Sequence, residues 1–457
     1  MAPAPSDPET HAFVRAPHRT LLGLALPVLV SLIAEPLTGL ADTAFIAELG
    51  AAPEAALGVG TILLSAVFWI FNFLGISTQT EVARTLGAGE QGRARQIAGL
   101  ALLVSALIGV GMLVLGVLLA TPAAAAMEAT GQVQADAVLY LRIRLLAAPA
   151  VLATTAIFGA LRGLQDMRTP LKIAVAANLL NVALDRLLIF GAGPIPAYGI
   201  AGAAWATAGA QWLAAGWAVI SLRRRLGIAH DFQREDVRRL FLVGRDMFVR
   251  TGLLTLFLLL ATRSATAVGE TAGAAHHGIR QFWLFTALVL DSFAAVAQSL
   301  VGWFLGTRRP DLARRVAAFT CWWSLGTGVA IAAGMILASG PLARLLVPPE
   351  AEAAFLAAWL AAALAQPLNA LSFATDGIHW GTADFAFLRN SMIVATLAGV
   401  AGILAAEAWI ARSDPDAGGA LTAIWIATAV WITVRAAFGM LRVWPGFGAA
   451  PLARAPR

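Results

Sequence analysis

The sequence predicts an all-α membrane protein with twelve transmembrane helices in two six-helix lobes. Composition is the first reason: hydrophobic residues make up 59% of the 457 residues, charged residues only 13%, and the mean hydropathy is +0.77. Soluble domains carry about 25% charged residues, so the polar surface is too small for a soluble enzyme of this size. The same composition excludes a disordered chain, a disulfide scaffold and a coiled coil. Twelve apolar segments and an internal repeat are the other two reasons.

The apolar segments follow one another along the chain, and each is bounded by charges, Gly or Pro. A membrane span needs about 20 mostly apolar residues, and every segment reaches that length. The twelve segments cover residues 20–47, 56–81, 97–120, 138–160, 170–190, 199–222, 242–265, 274–302, 316–337, 354–375, 385–405 and 420–439.

The order of these segments gives the expected domain organisation. Residues 20–222 form the first lobe, residues 223–241 a cytoplasmic linker, and residues 242–443 the second lobe. Residues 1–19 are Pro-rich and polar and carry no cleavable signal pattern. We expect them to form a disordered cytoplasmic tail, and residues 444–457 to form a second cytoplasmic tail.

Positive charge determines the expected orientation. Of the 32 Lys and Arg residues, 25 fall on segments that the span order places on one side of the membrane and 7 on the other. Positive residues accumulate on the cytoplasmic side, so we expect both termini in the cytoplasm and the protein in a prokaryotic inner membrane. The net charge of +6 therefore indicates cytoplasmic loops rather than a nucleic-acid partner. The polar run 223–236 is expected to be both a linker and a surface helix beneath anionic lipid headgroups.

The two halves of the chain repeat each other at a spacing of 219 residues, which becomes 218 farther along. Each repeat holds six spans, and because six is even both repeats enter the membrane from the same side. We therefore expect an axis along the membrane normal, with a substrate cavity between the repeats. This layout favours alternating access over a channel. The matched pairs are Leu86 and Leu305, Gly87 and Gly306, Ala94 and Ala313, Arg95 and Arg314, Gln79 and Gln298, Asn72 and Asp291, Pro149 and Pro367, Gly159 and Gly377, Gly163 and Gly381, and Asp166 and Asp384.

Five polar side chains of the first repeat are expected at similar depth in its outer half. Asp42 and Asp185 each lie five residues before the outer end of a span, and Asn181 lies one helical turn before Asp185. Tyr140 and Thr207 lie near the outer starts of two further spans. A carboxylate at bilayer depth costs several kcal/mol and usually marks a functional site. Because burial favours the neutral carboxyl group, such residues are expected to take up and release protons.

Structural alternatives remain for these residues. Asp185 could pair with the adjacent Arg186, and Asp42 could cap the end of its span. Glu35 lies seven residues before Asp42, hence on nearly the same helical face, and is followed by Pro36. Pro36 removes a backbone hydrogen bond, so it is expected either to let the span bend during gating or to form a static packing kink.

The second repeat has a different set of ionisable residues. The position that corresponds to Asp42 is Ala261, whereas Asp376 and His379 lie three residues apart near the inner end of the tenth span. His276 and His277 fall at an outer loop edge and are expected to be solvated. Most of the fourteen Trp residues are expected to anchor spans at the interface or to pack, and a minority to line a cavity for flat aromatic cations.

Several residues of both halves are candidates for binding a substrate. Asp291 lies in the middle of the eighth span, where it could instead form a hydrogen bond to Gln281 or to a neighbouring helix. Together with Asp42 the substrate-binding candidates are Glu35, Asn72, Asp291, Gln281 and Trp283.

No enzymatic or metal chemistry is expected. Cys321 is the single cysteine, which excludes an internal disulfide and a cysteine-built metal site. HExxH, GxSxG and paired-Asp protease motifs do not occur in the sequence. We therefore expect no enzyme activity, no cofactor and no metal.

Several long runs of the sequence resemble the multidrug and toxic compound extrusion (MATE) family. The run LALPVLVSLIAEPLTGLADTAFIAELG resembles the first span of that family, and RGLQDMRTPLKIAVAANLLNVALDRLLIFG its fifth-span region, followed by GIAGAAWAT. The runs GRDMFVRT and LDSFAAVAQSLVGWFLG resemble the DinF-type branch of the family. These runs cover residues 24–50, 162–191, 199–207, 244–251 and 290–306, and the resemblance extends over nearly the whole chain.

The resemblance implies a V-shaped fold of two six-helix lobes that works as a secondary antiporter. Family members export amphipathic organic cations in exchange for protons or sodium, and in this branch the first lobe carries a protonatable site. By position in the motifs, this site corresponds to Asp42, Asp185, Asn181, Tyr140 and Thr207.

The coupling ion and the substrate are left open by the resemblance. In other branches an acid in the seventh span helps to bind sodium, and residues 251–262 contain none, so proton coupling is favoured. Sodium coupling and a lipid-linked substrate flippase of the same superfamily are the alternatives. We expect an organic cation, protons and membrane lipid as the partners, and a monomeric chain.

Overall fold

A computed structural model describes residues 8–452 as an all-helical chain. The chain divides into two compact units. The first comprises residues 26–244 and is called the N-lobe here. The second, called the C-lobe, comprises the described residues through Ala25 together with those from Arg245 onward.

The first nine helices include the spans of the N-lobe. Helix α2 contains Pro27 and Pro36 without interruption, whereas the backbone turns at Phe71 and Asn72 between α3 and α4. These helices are α1 (Ala12–Arg15), α2 (Pro17–Ala47), α3 (Ala51–Ile70), α4 (Phe73–Gly87), α5 (Gln91–Ala126), α6 (Gly131–Leu145), α7 (Ala148–Gly163), α8 (Arg168–Phe190) and α9 (Ile200–Arg225).

The remaining eight helices include the spans of the C-lobe. They are α10 (Arg234–Val268), α11 (Glu270–Gly306), α12 (Pro310–Leu337), α13 (Ser339–Leu346), α14 (Glu352–Leu364), α15 (Gln366–Gly381), α16 (Phe385–Ser413) and α17 (Ala417–Val443). Short 3-10 turns lie at Pro8–Thr10 and Pro349–Ala351.

Helix length and composition account for eleven of the twelve predicted spans. Within residues 8–452, nine helices are long and apolar enough to cross a membrane, with α3 and α4 counted as one. Two bent pairs add one span each: α6 with α7, bent by 50°, and α14 with α15, bent by 46°. The twelfth is α9, whose 26 residues reach about 39 Å at 1.5 Å per residue. Its many Ala and Gly residues make it less hydropathic than the others. The predicted fold class is thus confirmed, with six spans in each lobe.

The internal repeat recurs in the packing of each lobe. In the N-lobe a Cβ at Gly159 would lie 2.2 Å from the carbonyl oxygen of Gly75, so α7 and α4 touch backbone to backbone. In the C-lobe a Cβ at Gly377 would lie 2.2 Å from the carbonyl oxygen of Ala294, where α15 meets α11. The two contacts are related by the spacings of 218 and 219 residues found in the sequence. Each lobe therefore builds its core on the same close helix crossing.

The expectation that the N-terminal segment is disordered is wrong for its described part. Residues 1–19 are expected to be disordered; residues 1–7 lie outside the described part of the chain, but residues 8–19 form a 3-10 turn, α1 and the start of α2. Phe13 is fully buried and packs edge-on against Phe304 and Phe319 of the C-lobe. Burying a Phe side chain contributes about 1.5–3 kcal/mol. One aromatic anchor thus orders a segment whose polar, Pro-rich composition predicts disorder.

Charged contacts reinforce this N-terminal segment. The carboxylate of Glu9 lies 2.5 Å from the guanidinium of Arg309, which also pairs with Asp311 at 2.7 Å. Hydrogen bonds to Asp311 and Glu9 raise the pKa of Arg309 above its ordinary value, because both carboxylates favour the charged guanidinium. The Arg309 side chain is partly exposed to solvent, so we expect its ion pairs with Glu9 and Asp311 to contribute little to stability.

The segment that was expected to be a linker is partly irregular and partly helical. Residues 226–233 form a loop, and the polar residues after them begin α10, which continues without a break into the seventh span. Two ion pairs hold this part of α10 against the N-lobe: Arg93 with Asp236, and Arg239 with Glu81 at 3.3 Å. A role beneath lipid headgroups remains a prediction.

Candidate functional site

The five polar residues singled out in the first repeat lie together in the N-lobe. The carboxyl groups of Asp42 on α2 and Asp185 on α8 interact directly, and both act electrostatically on Tyr140 of α6. On α8, the side-chain amide of Asn181 donates a hydrogen bond to the hydroxyl of Thr207 on α9 at 3.3 Å. That hydroxyl donates in turn to the carbonyl oxygen of Ala203 at 2.9 Å. Four helices thus converge on one polar cluster.

Two glycines allow the helices to come this close. A Cβ at Gly202 of α9 would lie 2.3 Å from the carbonyl oxygen of Leu188 on α8, so only Gly permits the approach that lets Asn181 reach Thr207. A Cβ at Gly60 of α3 would lie 2.5 Å from Cδ1 of Tyr140. The ring of Tyr140 therefore contacts bare backbone at Gly60, which fixes its position beside the acids.

The acid pair is buried with unsatisfied oxygens. Asp185 is fully buried, Asp42 is half-buried and Asn181 is 3% exposed. Both carboxylate oxygens of Asp185 and Oδ1 of Asp42 lack a well-formed hydrogen bond within residues 8–452. Two ionised carboxylates are both acceptors, so the pair can share a hydrogen bond only when one of them holds a proton. Unsatisfied buried oxygens are costly, which makes this a place where a proton or cation binds favourably.

Arg144 is a member of the site that the sequence did not identify. Its charge acts on Asp42, Asp185 and Tyr140, and its guanidinium carbon lies 6.0 Å from the Tyr140 ring centroid. Its Nη1 donates a hydrogen bond to Oε1 of Gln211 on α9 at 3.0 Å. Its spacing in the sequence indicates this position, because Arg144 is four residues after Tyr140 and hence on the same face of α6.

The alternative that Asp185 pairs with Arg186 is not what the structure shows. Arg186 is exposed, and its guanidinium lies over the ring of Phe190 at 4.7 Å. Within the described residues no ion pair joins Asp185 to its neighbour. Asp185 therefore keeps its carboxylate available for Asp42.

Three other N-lobe candidates lie away from this cluster. Glu35 and Pro36 are exposed on α2, and Asn72 is exposed at the turn between α3 and α4. Since α2 remains helical through Pro36, bending at this residue stays a prediction. Binding of substrate by Glu35 or Asn72 also stays a prediction.

The substrate candidates of the C-lobe are scattered along α11. Asp291 is half-buried, whereas Gln281 is exposed and its amide lies 3.4 Å from Nε2 of His277. Trp283 is buried in the apolar core of the lobe, with an indole N–H that lacks a partner within residues 8–452. The three side chains do not form one cluster, and their roles remain predictions.

A buried ionic triad in the C-lobe was not anticipated. The carboxylate of Asp376 on α15 accepts hydrogen bonds from Arg250 on α10 and from Arg435 on α17, the latter at 2.9 Å. All three residues are 7% exposed. Each arginine also stacks on a tryptophan ring, Arg250 on Trp380 at 5.6 Å and Arg435 on Trp431 at 4.6 Å. The triad ties three helices together.

The two outer histidines have different environments. His277 is exposed as expected, but His276 is only 4% exposed, so the prediction that it is solvated is wrong. Helix α11 turns it inward, next to the Trp425 ring at 5.6 Å. Its Nε2 lies 3.1 Å from the hydroxyl of Thr262, which already donates to the carbonyl of Leu258. The hydroxyl must therefore accept from Nε2–H, which leaves Nδ1 as an unpartnered acceptor.

Residues 8–452 contain no group of three or more His, Cys, Asp or Glu side chains arranged to hold a metal ion.

Comparison with known proteins agrees with this architecture. The MatE family model matches residues 27–187 and 247–404. The chain is 29% identical to DNA damage-inducible protein F of Escherichia coli K12 over 438 residues, which cover 93% of this chain and 91% of that protein. It is also 29% identical to Protein DETOXIFICATION 44, chloroplastic, of Arabidopsis thaliana over 394 residues, with 82% and 74% covered.

A solved structure shares the fold. The outward-facing conformation of a multidrug resistance MATE family transporter of the MOP superfamily superimposes with a TM-score of 0.85 at 20% identity, covering 95% of this chain and 97% of that one. The family match extends over both lobes and over more than half of the sequence. The chain is therefore a multi-pass integral membrane protein that belongs to the MatE family.

Proposed function

We propose that this transporter is a secondary antiporter that exports organic cations in exchange for protons by alternating access. The observation that carries the proposal is the pair formed by Asp42 and Asp185, buried side by side with unsatisfied oxygens. Two adjacent carboxylates repel each other when both are ionised, most strongly where water is scarce. Binding of either a proton or a cation relieves that repulsion, so the two compete for the same pair.

Competition for the pair gives a coupled cycle. On the outside a proton neutralises one carboxyl group, which weakens the hold on a bound cation and releases it. On the inside the proton leaves, the pair regains its negative charge, and the next cation binds. Each pH unit of gradient supplies about 1.4 kcal/mol per proton, and each 100 mV supplies about 2.3 kcal/mol per net charge moved. Bending of α2 at Pro36 is the proposed gating movement.

The neighbouring polar residues support the pair without adding charge. Asn181 and Thr207 bond to each other one helical turn from Asp185, which links α8 to α9 beside the acid pair. Tyr140 presents its hydroxyl near both acids. We propose these three as the residues that orient the acid pair and offer it polar neighbours.

Transport in proteoliposomes tests the proposal. Ethidium is the cationic probe, a pH gradient or a sodium gradient is imposed in separate arms, and wild type is compared with Asp42→Asn. The matched control is Glu54→Gln, which neutralises an exposed acid in the first turn of α3. We expect pH-driven uptake for wild type and Glu54→Gln, and uptake at the level of protein-free vesicles for Asp42→Asn.

The other outcomes have definite meanings. Wild-type rates in Asp42→Asn would contradict the proposed role of the acid pair. Uptake driven by sodium but not by pH would replace protons by sodium, whose oxygen-rich ligands this cluster also offers. A lipid-linked substrate would need convergent cations, and Arg144 faces two acids instead. The inner membrane of a prokaryotic cell, with both termini cytoplasmic and a monomeric chain, is the setting we propose from the charge distribution.

A further inference from the structure

Arg144 occupies an unusual position beside the acid pair. Its charge acts on both carboxylates, yet no ion pair joins it to either acid within the described residues. Instead Gln211 accepts its Nη1–H at 3.0 Å, and the Tyr140 ring centroid lies 6.0 Å from its guanidinium carbon. Its Nε–H is buried and has no hydrogen-bond partner within residues 8–452. The guanidinium is therefore held close enough to act on the acids but does not occupy their oxygens.

The formal charge of the site can be counted from the groups that face it. Asp42 on α2 and Asp185 on α8 carry the negative charges, and Arg144 on α6 carries the positive one. Tyr140 is the other titratable group, and α9 contributes the uncharged Gln211 and Thr207. With both acids ionised, the site therefore carries one net negative charge, and a single proton or a single monovalent cation makes it neutral.

We propose that Arg144 is a fixed internal counter-ion that makes the exchange one proton for one monovalent organic cation. This inference rests on the proposed function and deepens it. A bound salt bridge would block the carboxylates, whereas a guanidinium anchored to Gln211 compensates one charge and leaves the oxygens open to ligand. Without Arg144 the site carries two negative charges, so two protons are needed to displace one cation.

The two stoichiometries differ in the gradient that they support. Vesicles are prepared one pH unit more acidic inside, with the membrane potential held at zero by potassium and valinomycin. They are preloaded with different ethidium concentrations, and the ratio of inside to outside ethidium at which the initial net flux is zero is measured. One-for-one exchange gives about tenfold accumulation per pH unit, and two-for-one exchange gives about a hundredfold, because the proton ratio enters once or twice. We expect about tenfold for wild type and about a hundredfold for Arg144→Gln.

Control variants separate charge from side-chain shape. Arg144→Lys keeps the charge and is expected to stay near tenfold. Arg142→Gln removes an exposed arginine from the same helix and is also expected to stay near tenfold. A tenfold ratio in Arg144→Gln would overturn the inference. If even wild type moved no ethidium in response to pH, the proposed function itself would fail.

A binding measurement covers the case in which Arg144→Gln does not fold. Protons released per tetraphenylphosphonium bound are counted for wild type in weakly buffered detergent solution with a pH indicator, starting from protein loaded with protons. The counter-ion predicts the release of one proton per cation. Release of two would show that Arg144 does not compensate either acid and would overturn the inference.

Discussion

The two lobes bury their ionic groups in opposite ways on the same helical scaffold. In the N-lobe, Asp42 and Asp185 face each other, and three of their four carboxyl oxygens lack a hydrogen bond within residues 8–452. In the C-lobe, the Oδ2 atom of Asp376 accepts hydrogen bonds from two arginines. A carboxylate that already pairs with two arginines attracts a cationic ligand only weakly. An acid pair with unsatisfied oxygens is instead stabilised when a proton or a cation binds to it. On the proposed function, ion exchange therefore belongs to the N-lobe, and the buried ionic triad of the C-lobe holds helices together.

The repeat shows that each cluster is specific to its lobe. By the spacing of 219 residues Asp42 corresponds to Ala261, and by the spacing of 218 Asp376 corresponds to Phe158. The backbone crossings of α7 with α4 and of α15 with α11 are nevertheless alike. The shared packing supplies a frame, and side chains that differ between the lobes supply the chemistry.

The largest effect is expected for Asp376→Asn. This change leaves Arg250 and Arg435 buried without a charge partner, and breaking a buried ion pair on one side costs about 3–5 kcal/mol. We expect a strongly lowered midpoint of thermal unfolding in detergent and a poor yield of monodisperse protein. Asp185→Asn, the N-lobe counterpart, should fold like wild type because it removes repulsion rather than attraction. Equal unfolding midpoints for the two variants would contradict the claim that the buried acids stabilise the C-lobe but not the N-lobe.

A medium effect is expected for Gly60→Ala, which tests whether the N-lobe cluster depends on the position of Tyr140. The added Cβ would lie 2.5 Å from the ring, so the ring must move away from the acids, and such overpacking costs about 1–3 kcal/mol. We expect kcat/KM for pH-driven ethidium transport to fall several-fold. Gly58→Ala, two residues earlier on α3, adds a Cβ with no atom within 4 Å and should transport normally. Equal losses in both variants would attribute the effect to the helix rather than to Tyr140.

The sequence predicted the spans and the acid cluster because both leave strong local signals. An apolar run of some 20 residues and a carboxylate inside it are recognisable without any knowledge of packing. The cluster of Asp42, Asp185 and Asn181 also followed from depth, since residues near the same ends of neighbouring spans lie at similar height. The same depth argument included Tyr140 and Thr207, and the family resemblance assigned all five residues to one site.

The contacts that the sequence did not predict depend on the direction in which individual side chains point. Arg250 and Arg435 were counted among the cytoplasmic positive charges, although both lie inside helices and reach Asp376. A charge count assigns an arginine to one side of the membrane, but it does not say whether the guanidinium points to water or to an acid. Arg144 and Phe13 were missed for the same reason. Hydropathy and composition average over faces, whereas tertiary contacts select one face.

The smallest effect is expected for His276→Gln, which asks whether the C-lobe shares in proton exchange after all. His276 has an unpartnered Nδ1, and the charged or titratable groups that act on it are Arg280 and His277 of its own helix. No acid among them would stabilise an imidazolium at this buried position. A glutamine amide can still donate to Thr262, so the free energy of unfolding should change by less than about 1 kcal/mol. The pH dependence of ethidium transport, measured in steps of half a unit, should coincide with that of wild type. A displaced pH profile would instead show that the C-lobe titrates during transport, and the acid pair of the N-lobe would then be only part of the coupling machinery.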